Sequence, residues 1–503
     1  MPKRIFALAL GAILFAAGPT LAATVTPIPA PVQIVTHHQM KIGGQTIRYT
    51  ATAGEIYLHD LSGDPTGSLF SFTYIKDGPR KPQRPVLFVF NGGPGSASLW
   101  LHMGVVGPER VVLDRAVNPS SVPPFKVSGN PDSLLDVADL VFIDPIGTGF
   151  SHAIGSGKPE DFYGVDEDAN SVAQFIELWL SKYGRWNSPK ILMGESYGSE
   201  RAAILPRALM GGPTYLGMMR GITVNGIVLL GTALGTHPDT PPNADEILAD
   251  QALALPGFAA AAWYHNKIDR AGRSLPQFYD EASRYAHTDY LAALHKVAAN
   301  TLSDDERKTV TTKLSAFTGI PASAIPKDLK LSSSAFAREL LADQGLSLGM
   351  YDSRYTLPTA HSGNEPVADD AAMGQYVPGF VSAFHEMLGR DLNVHLDRPY
   401  LAIHWRGLLD KWNWKREQVA PGQSAAVDLA IAMRRNPKLH VLVAGGYYDL
   451  NSAPAEALRD LQDAGIPQDR LTFKLYESGH MLYIGDTAKP FSDDVRALIR
   501  SAR

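Results

Sequence analysis

The chain has 503 residues, of which 45% are hydrophobic and 19% charged, with a formal net charge of −5 at pH 7. Its mean hydropathy is −0.09, and this composition argues against a disordered chain and against a polytopic membrane protein. The acidic balance and the lack of lysine and arginine blocks argue against a nucleic-acid partner. The length suits one large α/β domain that carries an insertion.

The first residues are typical of a secretory signal peptide, which we place at residues 1–22. Lys3 and Arg4 precede a short apolar stretch, 5–17, and small residues follow it up to Ala23. This stretch is too short to span a bilayer. We therefore expect no stable membrane insertion after signal cleavage, with an uncleaved anchor as the alternative.

The chain contains no cysteine. That excludes structural disulfides, a lipid-modified N-terminal cysteine, thiolate catalysis and cysteine zinc sites. The sequence also lacks an H-E-x-x-H motif and clustered metal ligands, and we predict neither a metal nor a cofactor. Together with the signal peptide, these features indicate a bacterial protein that is periplasmic or secreted.

The residues after the signal peptide predict a leader and then a sheet. Residues 23–40 are rich in proline and threonine, which indicates an exposed leader. Residues 45–52 and 68–75 are predicted to form strands. Continuous apolar runs, typical of strands covered on both faces of a parallel sheet, follow at Val86–Phe90, Leu140–Ile143, Ile191–Met193 and Ile227–Leu230.

A helix is predicted between the second and third apolar runs. Val172, Phe175, Ile176 and Trp179 recur there at spacings of three and four residues, which is the period of one helix face. Strand, helix and strand in this order form a β-α-β unit.

The pattern changes between residues 236 and 398, where alanine-rich and acidic helical segments dominate. We interpret this part as a helical cap inserted over the active edge of the sheet. The core would then consist of residues 41–235 and 399–503. Its second part has strands predicted at His440–Val443 and Leu471–Leu475.

Two glycine-rich motifs follow the third and first apolar runs. Residues 194–198 read Gly-Glu-Ser-Tyr-Gly, a G-x-S-x-G pattern, and residues 91–96 read Asn-Gly-Gly-Pro-Gly-Ser. A strand that turns into a helix through G-x-S-x-G holds the serine in a tight corner with its hydroxyl exposed. We therefore predict that Ser196 is a nucleophile and that the N–H groups of Gly93 and Tyr197 form an oxyanion hole.

A serine nucleophile needs an adjacent base, and the base needs an acid that orients it. With G-x-S-x-G, the chain order is serine, acid, histidine. Asp449 follows the first strand after the insertion, and His480 follows the last strand and is the only histidine after Asp449. A lone aspartate or histidine in a loop is usually structural. Because order, strand position and glycine context agree, we predict a triad of Ser196, Asp449 and His480.

These motifs resemble those of the serine carboxypeptidase family of α/β-hydrolases, and look more like its bacterial members. The resemblance covers residues 91–96, the run Asp-Pro-Ile-Gly-Thr-Gly-Phe-Ser at 144–151, Glu-Ser-Tyr-Gly at 195–198, Asp449 and Gly-His-Met at 479–481. It implies an α/β-hydrolase fold, in which a mostly parallel sheet is flanked by helices and carries a helical cap. It also implies a secreted serine-type carboxypeptidase that hydrolyses C-terminal peptide bonds through an acyl-enzyme, with substrates that have a free C-terminus.

The resemblance assigns Asn91 and Glu195 to the binding of the substrate's terminal carboxylate. Two carboxyl groups share a hydrogen bond only if one of them is protonated. Eukaryotic members of the family pair this glutamate with a second one, and Val105 stands at that position here. We therefore expect the pKa of Glu195 to be raised less than in those members, and peptidase activity to be less restricted to acid. The alternatives are a helix N-terminal charge for Glu195 and a turn residue for Asn91.

Other functions use the same scaffold. An esterase or an acyltransferase is the alternative, because both also proceed through an acyl-serine. A catalytically inactive binding protein is a third possibility, which the intact Ser196, Asp449 and His480 disfavour. The sequence leaves the oligomeric state open.

Overall fold

A ten-stranded mixed sheet lies at the centre of the protein. The computed structural model describes residues 28–79, 81–211, 219–235, 243–360, 363, 365–417, 419–420 and 423–502. The predicted signal peptide, 1–22, lies outside the described residues. From Pro31 onward the described residues form one unit.

Most strands of the large sheet run parallel. In chain order the strands are β1 (Gln33–Ile42), β2 (Gln45–His59), β3 (Pro65–Lys76), β4 (Val86–Phe90), β5 (Glu109–Val112), β6 (Lys126–Gly129), β7 (Asp139–Ile143), β8 (His152–Ala153), β9 (Lys190–Glu195), β10 (Gly226–Leu230), β11 (Leu346–Leu348), β12 (Thr356–Pro358), β13 (His440–Gly446) and β14 (Leu471–Tyr476). The sheet order is β1-β2-β3-β7-β4-β9-β10-β13-β14, with β8 beside β3. The pairs from β1 to β7 are antiparallel, whereas β7, β4, β9, β10, β13 and β14 pair in parallel. The mostly parallel sheet predicted from the apolar runs is confirmed.

Helices connect these strands and form the insertion. They are α1 (Leu99–Leu101), α2 (Val165–Tyr183), α3 (Tyr197–Met210), α4 (Ala244–Leu253), α5 (Leu255–Tyr264), α6 (Leu275–Tyr285), α7 (Leu291–Ala298), α8 (Asp304–Thr318), α9 (Ser333–Glu339), α10 (Met373–Arg390), α11 (Arg406–Leu409), α12 (Ala425–Arg435), α13 (Pro454–Asp463) and α14 (Ala488–Ser501). A π-helical turn, His102–Val106, continues α1. The helix predicted from the spacing of Val172 to Trp179 is α2.

The exposed leader predicted through residue 40 is wrong from Gln33 onward, where β1 begins. β1 pairs with β2 along its whole length, from Gln33 opposite Gly54 to Ile42 opposite Gln45. It is the edge strand, and its side chains are alternately exposed and half-buried. Because neither of its faces is fully covered, its sequence lacks the apolar alternation that identifies a strand.

Helices cover both faces of the sheet, as a parallel sheet requires. On one face, Trp179 of α2 packs edge-on against Phe88 of β4, with ring centroids 5.4 Å apart. On the other face, Phe384 of α10 packs edge-on against Phe72 of β3 at 5.5 Å. Each such buried aromatic side chain contributes about 1.5–3 kcal/mol to folding.

The predicted insertion, 236–398, contributes two different parts. Helices α4 to α9 share a hydrophobic cluster of their own, in which Phe258 stacks on Phe336 at 4.4 Å. α10 instead belongs to the core that covers the sheet. The exact limits of the cap therefore stay a prediction. Within the described residues, no helix is both long and apolar enough to cross a membrane.

Candidate active site

Ser196 occupies a strained corner between β9 and α3. Its φ of 60° and ψ of −132° lie outside the regions that side-chain-bearing residues normally adopt. A Cβ atom on Gly194 would overlap the carbonyl oxygen of Gly198, and a Cβ atom on Gly198 would lie 2.9 Å from the carbonyl oxygen of Phe90. The glycine on each side of the corner is therefore sterically required. A serine held in this way between a parallel strand and a helix has the geometry of a nucleophile elbow, and the role of Ser196 as the nucleophile stays a prediction.

The loop after β4 lies directly against this corner. A Cβ atom on Gly92 would overlap the backbone nitrogen of Tyr197 and come within 2.6 Å of that of Gly198. Gly93 follows with a φ of +109°, a conformation that favours glycine. Among the hydrogen bonds of the described residues, the N–H groups of Gly93 and Tyr197 have no protein acceptor. They are therefore available as the predicted oxyanion donors, a role that stays a prediction.

Asp449 and His480 are brought together behind the corner. The distance from Asp449 Oδ2 to His480 Nδ1 is 2.7 Å, and both residues are buried. The other oxygen of Asp449 accepts hydrogen bonds from the backbone N–H groups of Asn451 and Ser452, at 2.8 and 3.0 Å. The carboxylate is thus fixed at one oxygen and offers the second one to the imidazole.

Burial alone would lower the pKa of His480. The Asp449 carboxylate, together with negative charge at Glu195 and Asp370, outweighs burial and raises the pKa above its ordinary value. The ring itself is held by close packing, since a Cβ atom on Gly231 would lie 2.7 Å from its Cε1 atom.

The predicted reactive groups line one cavity of about 810 Å³. Ser196, His480, Glu195 and Asn91 all line it, as do Gly93 and Tyr197. Asp449 lies behind His480 rather than on the cavity wall. The cavity therefore presents the predicted nucleophile, base, oxyanion donors and carboxylate-binding groups to one ligand. In the described residues no group of three or more histidine or acidic side chains could hold a metal ion.

Glu195 and Asn91 form a buried hydrogen-bonded pair. Asn91 Nδ2 donates to Glu195 Oε2 at 3.0 Å, and the hydroxyl of Tyr483 donates to the same oxygen at 2.7 Å. Burial raises the pKa of Glu195 to about 7, although His480, Tyr483 and Asn91 each lower it. Val105 is buried and supplies no carboxylate. Burial thus raises this pKa even though the second glutamate expected from eukaryotic members is missing.

Tyr483 contacts Glu195 at the site, although no sequence motif indicates it. It lies three residues after His480, in the loop that follows β14. A tyrosine near the predicted base carries no motif, and only the fold brings its hydroxyl to Glu195.

Arg201 also lacks a sequence motif, and its side chain connects the corner at Ser196 to the neighbouring helix and loop by hydrogen bonds. Its guanidinium is buried. It donates hydrogen bonds to Asp168 Oδ2 at 2.5 Å and to the carbonyl oxygen of Asn91 at 2.7 Å. It also lies over the rings of Phe90 and Tyr197, 5.3 Å from each centroid. One side chain of α3 thereby fixes the start of α2 and the loop that carries Asn91.

We expect Arg201→Met to lower the free energy of unfolding by about 3–5 kcal/mol, because it leaves the Asp168 carboxylate buried without its cation. Urea denaturation measures this change. Arg110→Met is the matched control: its pair with Asp132 is more exposed, and we expect a loss of about 1 kcal/mol or less. Equal losses in the two variants would contradict the role given to Arg201.

Comparison with known proteins gives one family. Residues 54–214 match the family model described as serine carboxypeptidase. A pheromone-processing carboxypeptidase of Sclerotinia sclerotiorum is 29% identical over 179 residues, which cover 32% of this chain and 26% of that protein. Serine carboxypeptidase-like 5 of Arabidopsis thaliana is 32% identical over 133 residues, which cover 25% of this chain and 28% of that protein. The match thus spans about a quarter of the length of these relatives.

Among solved structures, the chain is similar to the proline iminopeptidase of Mycobacterium smegmatis. The two share 12% sequence identity with a TM-score of 0.35, over 87% of this chain and 98% of that one.

Proposed function

We propose that the protein, whose residues 54–214 match the serine carboxypeptidase family model, removes C-terminal residues from peptides through an acyl-enzyme on Ser196. The observation that carries this proposal is the hydrogen-bonded pair of Asn91 and Glu195 next to Ser196 in the same cavity. A general esterase has no need for a buried carboxyl group beside its nucleophile. A protonated carboxyl group, in contrast, is suited to binding a second carboxylate.

In the proposed reaction, Ser196 Oγ attacks the scissile carbonyl carbon while its proton passes to His480 Nε2. Asp449 holds the imidazole in the tautomer that leaves Nε2 free to accept this proton. The N–H groups of Gly93 and Tyr197 stabilise the oxyanion. His480 then protonates the leaving amine, the C–N bond breaks, and a water activated by the same base releases the acyl group and restores the serine.

The proposed role of Glu195 is to donate its proton to the carboxylate of the substrate. A pKa of about 7 keeps a large share of this group neutral at neutral pH. An ionised Glu195 would instead repel the substrate. Binding of the free C-terminus thus depends on one proton at a buried site.

The decisive experiment compares a peptide with a free C-terminus to the same peptide with an amidated C-terminus. We expect Glu195→Ala to lower kcat/KM on the free acid by about 10- to 100-fold, the value of a lost hydrogen bond to a charged group. The amidated peptide should change by less than about threefold. Glu195→Gln is the control, because the glutamine amide keeps a hydrogen-bond donor but has no proton that is lost as the pH rises. Equal loss on both peptides would favour the esterase or acyltransferase alternative.

We expect the pH profile of the two peptides to differ on the alkaline side. As pH rises through about 7, Glu195 loses its proton, and kcat/KM for the free acid should fall because KM rises. The amidated peptide should keep its activity there, since only neutral His480 is required. Below the pKa of His480 both peptides should lose activity together. An alkaline fall shared by both peptides, or one that persists in Glu195→Gln, would contradict this role.

We also propose that the protein is exported to the periplasm or beyond, on the basis of the signal-peptide pattern in residues 1–22. Mass spectrometry of the N-terminus from the native host tests this. A mature protein beginning near Ala23 is the expected result, and an intact N-terminus in the cytoplasm would overturn it.

A further inference from the structure

Two donors converge on one oxygen of Glu195, and one of them is Tyr483. The hydroxyl of Tyr483 lies 2.7 Å from Glu195 Oε2, and Asn91 Nδ2 lies 3.0 Å from it. The orientation of the Asn91 amide is fixed, because its Oδ1 accepts the backbone N–H of Leu101 at 3.2 Å. Tyr483 is itself buried, so its hydroxyl needs an acceptor, and Glu195 supplies it.

The ring of Tyr483 packs against the backbone of Gly104. A Cβ atom at position 104 would overlap ring atoms Cδ2 and Cε2 of Tyr483 and lie 3.3 Å from Cγ. Gly104 belongs to the π-helical turn His102–Val106. The absence of a side chain at this position creates the space in which the ring reaches Glu195.

The two donors determine where the proton of a neutral Glu195 resides. Because Oε2 accepts from both Asn91 and Tyr483, the proton of the neutral acid is placed on Oε1. We propose that Tyr483 is a positioning residue that orients Glu195 so that Oε1–H is donated to the carboxylate of the substrate. This inference rests on the proposed function and names a residue that determines how the C-terminus is recognised.

The hydrogen bond also influences the charge state of Glu195. Four groups act on this carboxyl: Asn91 after β4 and Tyr483 by hydrogen bonds, and His480 after β14 and Asp449 after β13 by their charges. The Tyr483 hydroxyl favours the ionised form and so lowers the pKa of Glu195, in opposition to burial. Removing the hydroxyl should therefore weaken orientation and, separately, move the titration of Glu195 to higher pH.

Tyr483→Phe tests this proposal, with KM and kcat measured between about pH 5 and 9 on the free-acid and amidated peptides. We expect KM for the free acid at the acidic end to rise about tenfold, as for one lost hydrogen bond, with kcat changed by less than about twofold. The pH at which this KM begins to rise should move up, because the lost hydrogen bond no longer favours the ionised form of Glu195. The amidated peptide should be unaffected.

The matched control is Tyr376→Phe. Tyr376 is equally buried, but its hydroxyl donates to the sulfur of Met373 at 3.0 Å and not to Glu195. Its removal should leave both the free-acid KM and its pH dependence unchanged. A merely structural role of Tyr483 would lower kcat on both peptides and leave the pH midpoint in place, and that result would overturn the proposal.

Gly104→Ala provides a second, independent variant. The added methyl group displaces the ring without deleting the hydroxyl, and we expect the same selective rise in free-acid KM. Gly129→Ala, where a Cβ atom meets nothing within 4 Å, is its control. If Glu195→Ala reduces only free-acid hydrolysis while Tyr483→Phe and Gly104→Ala change nothing, the positioning role is wrong and the proposed function stands. If Glu195→Ala also fails to distinguish the two peptides, the proposed function itself is wrong.

Discussion

Replacing Ser196 by alanine is expected to lower kcat by about a million-fold, the loss typical of a deleted nucleophile in a serine triad. The remaining rate would come from binding and from the oxyanion donors, which the substitution leaves intact. The fold should be unaffected, because alanine fits wherever serine does and the left-handed φ of 60° at this corner strains both residues alike. Burst kinetics with an activated ester measure the loss of activity, and the melting temperature shows whether the fold is unaffected.

A fluorophosphonate probe provides the direct control on the same residue. It should label the wild-type protein at Ser196 and fail to label Ser196→Ala. Ser334 also lines the cavity, and Ser334→Ala should retain both labelling and activity. Labelling that survives in Ser196→Ala would mean that another residue is the nucleophile, and an unlabelled wild-type protein would favour an inactive binding protein.

The parts of the site that could be predicted from the sequence are those fixed by local geometry or by chain order. The G-x-S-x-G corner was identifiable because Gly194 and Gly198 leave no room for a side chain. Asp449 and His480 could be located because each directly follows a strand of a parallel sheet, where the carboxyl ends of neighbouring strands meet. These inferences require only the identity of the strands and not their packing.

The parts that could not be predicted depend on contacts between residues far apart in the sequence. Tyr483 reaches Glu195 across 288 positions, and Arg201 reaches the backbone of Asn91 across 110. Neither residue carries a motif. The strand β1 could not be predicted for a related reason. An edge strand has no fully buried face, so its sequence need not show an alternating apolar pattern. The elevated pKa of Glu195 likewise comes from burial, which the sequence does not show.

Replacing Asp449 by asparagine is expected to lower kcat by about 10,000-fold, even on an activated ester. The reason lies in how the carboxylate is held. Its Oδ1 accepts two backbone N–H groups, from Asn451 and Ser452, so the oxygen of an asparagine amide would take that position. The NH2 group would then face His480 Nδ1, which must become an acceptor, and the proton would move to Nε2. His480 in that tautomer cannot accept the proton of Ser196.

Asp449→Ala separates the tautomer effect from the simple loss of charge. Alanine removes the carboxylate without forcing either tautomer, so this variant should retain more activity than Asp449→Asn despite the larger deletion. In both variants the pKa of His480 should fall, because the carboxylate that raises it is gone, and the acidic limb of the pH profile should move to lower pH. If Asp449→Asn retained activity within about tenfold of the wild type, Asp449 would not be the residue that orients His480. A ranking with alanine below asparagine would mean that Asp449 acts through its charge or its packing rather than through the tautomer.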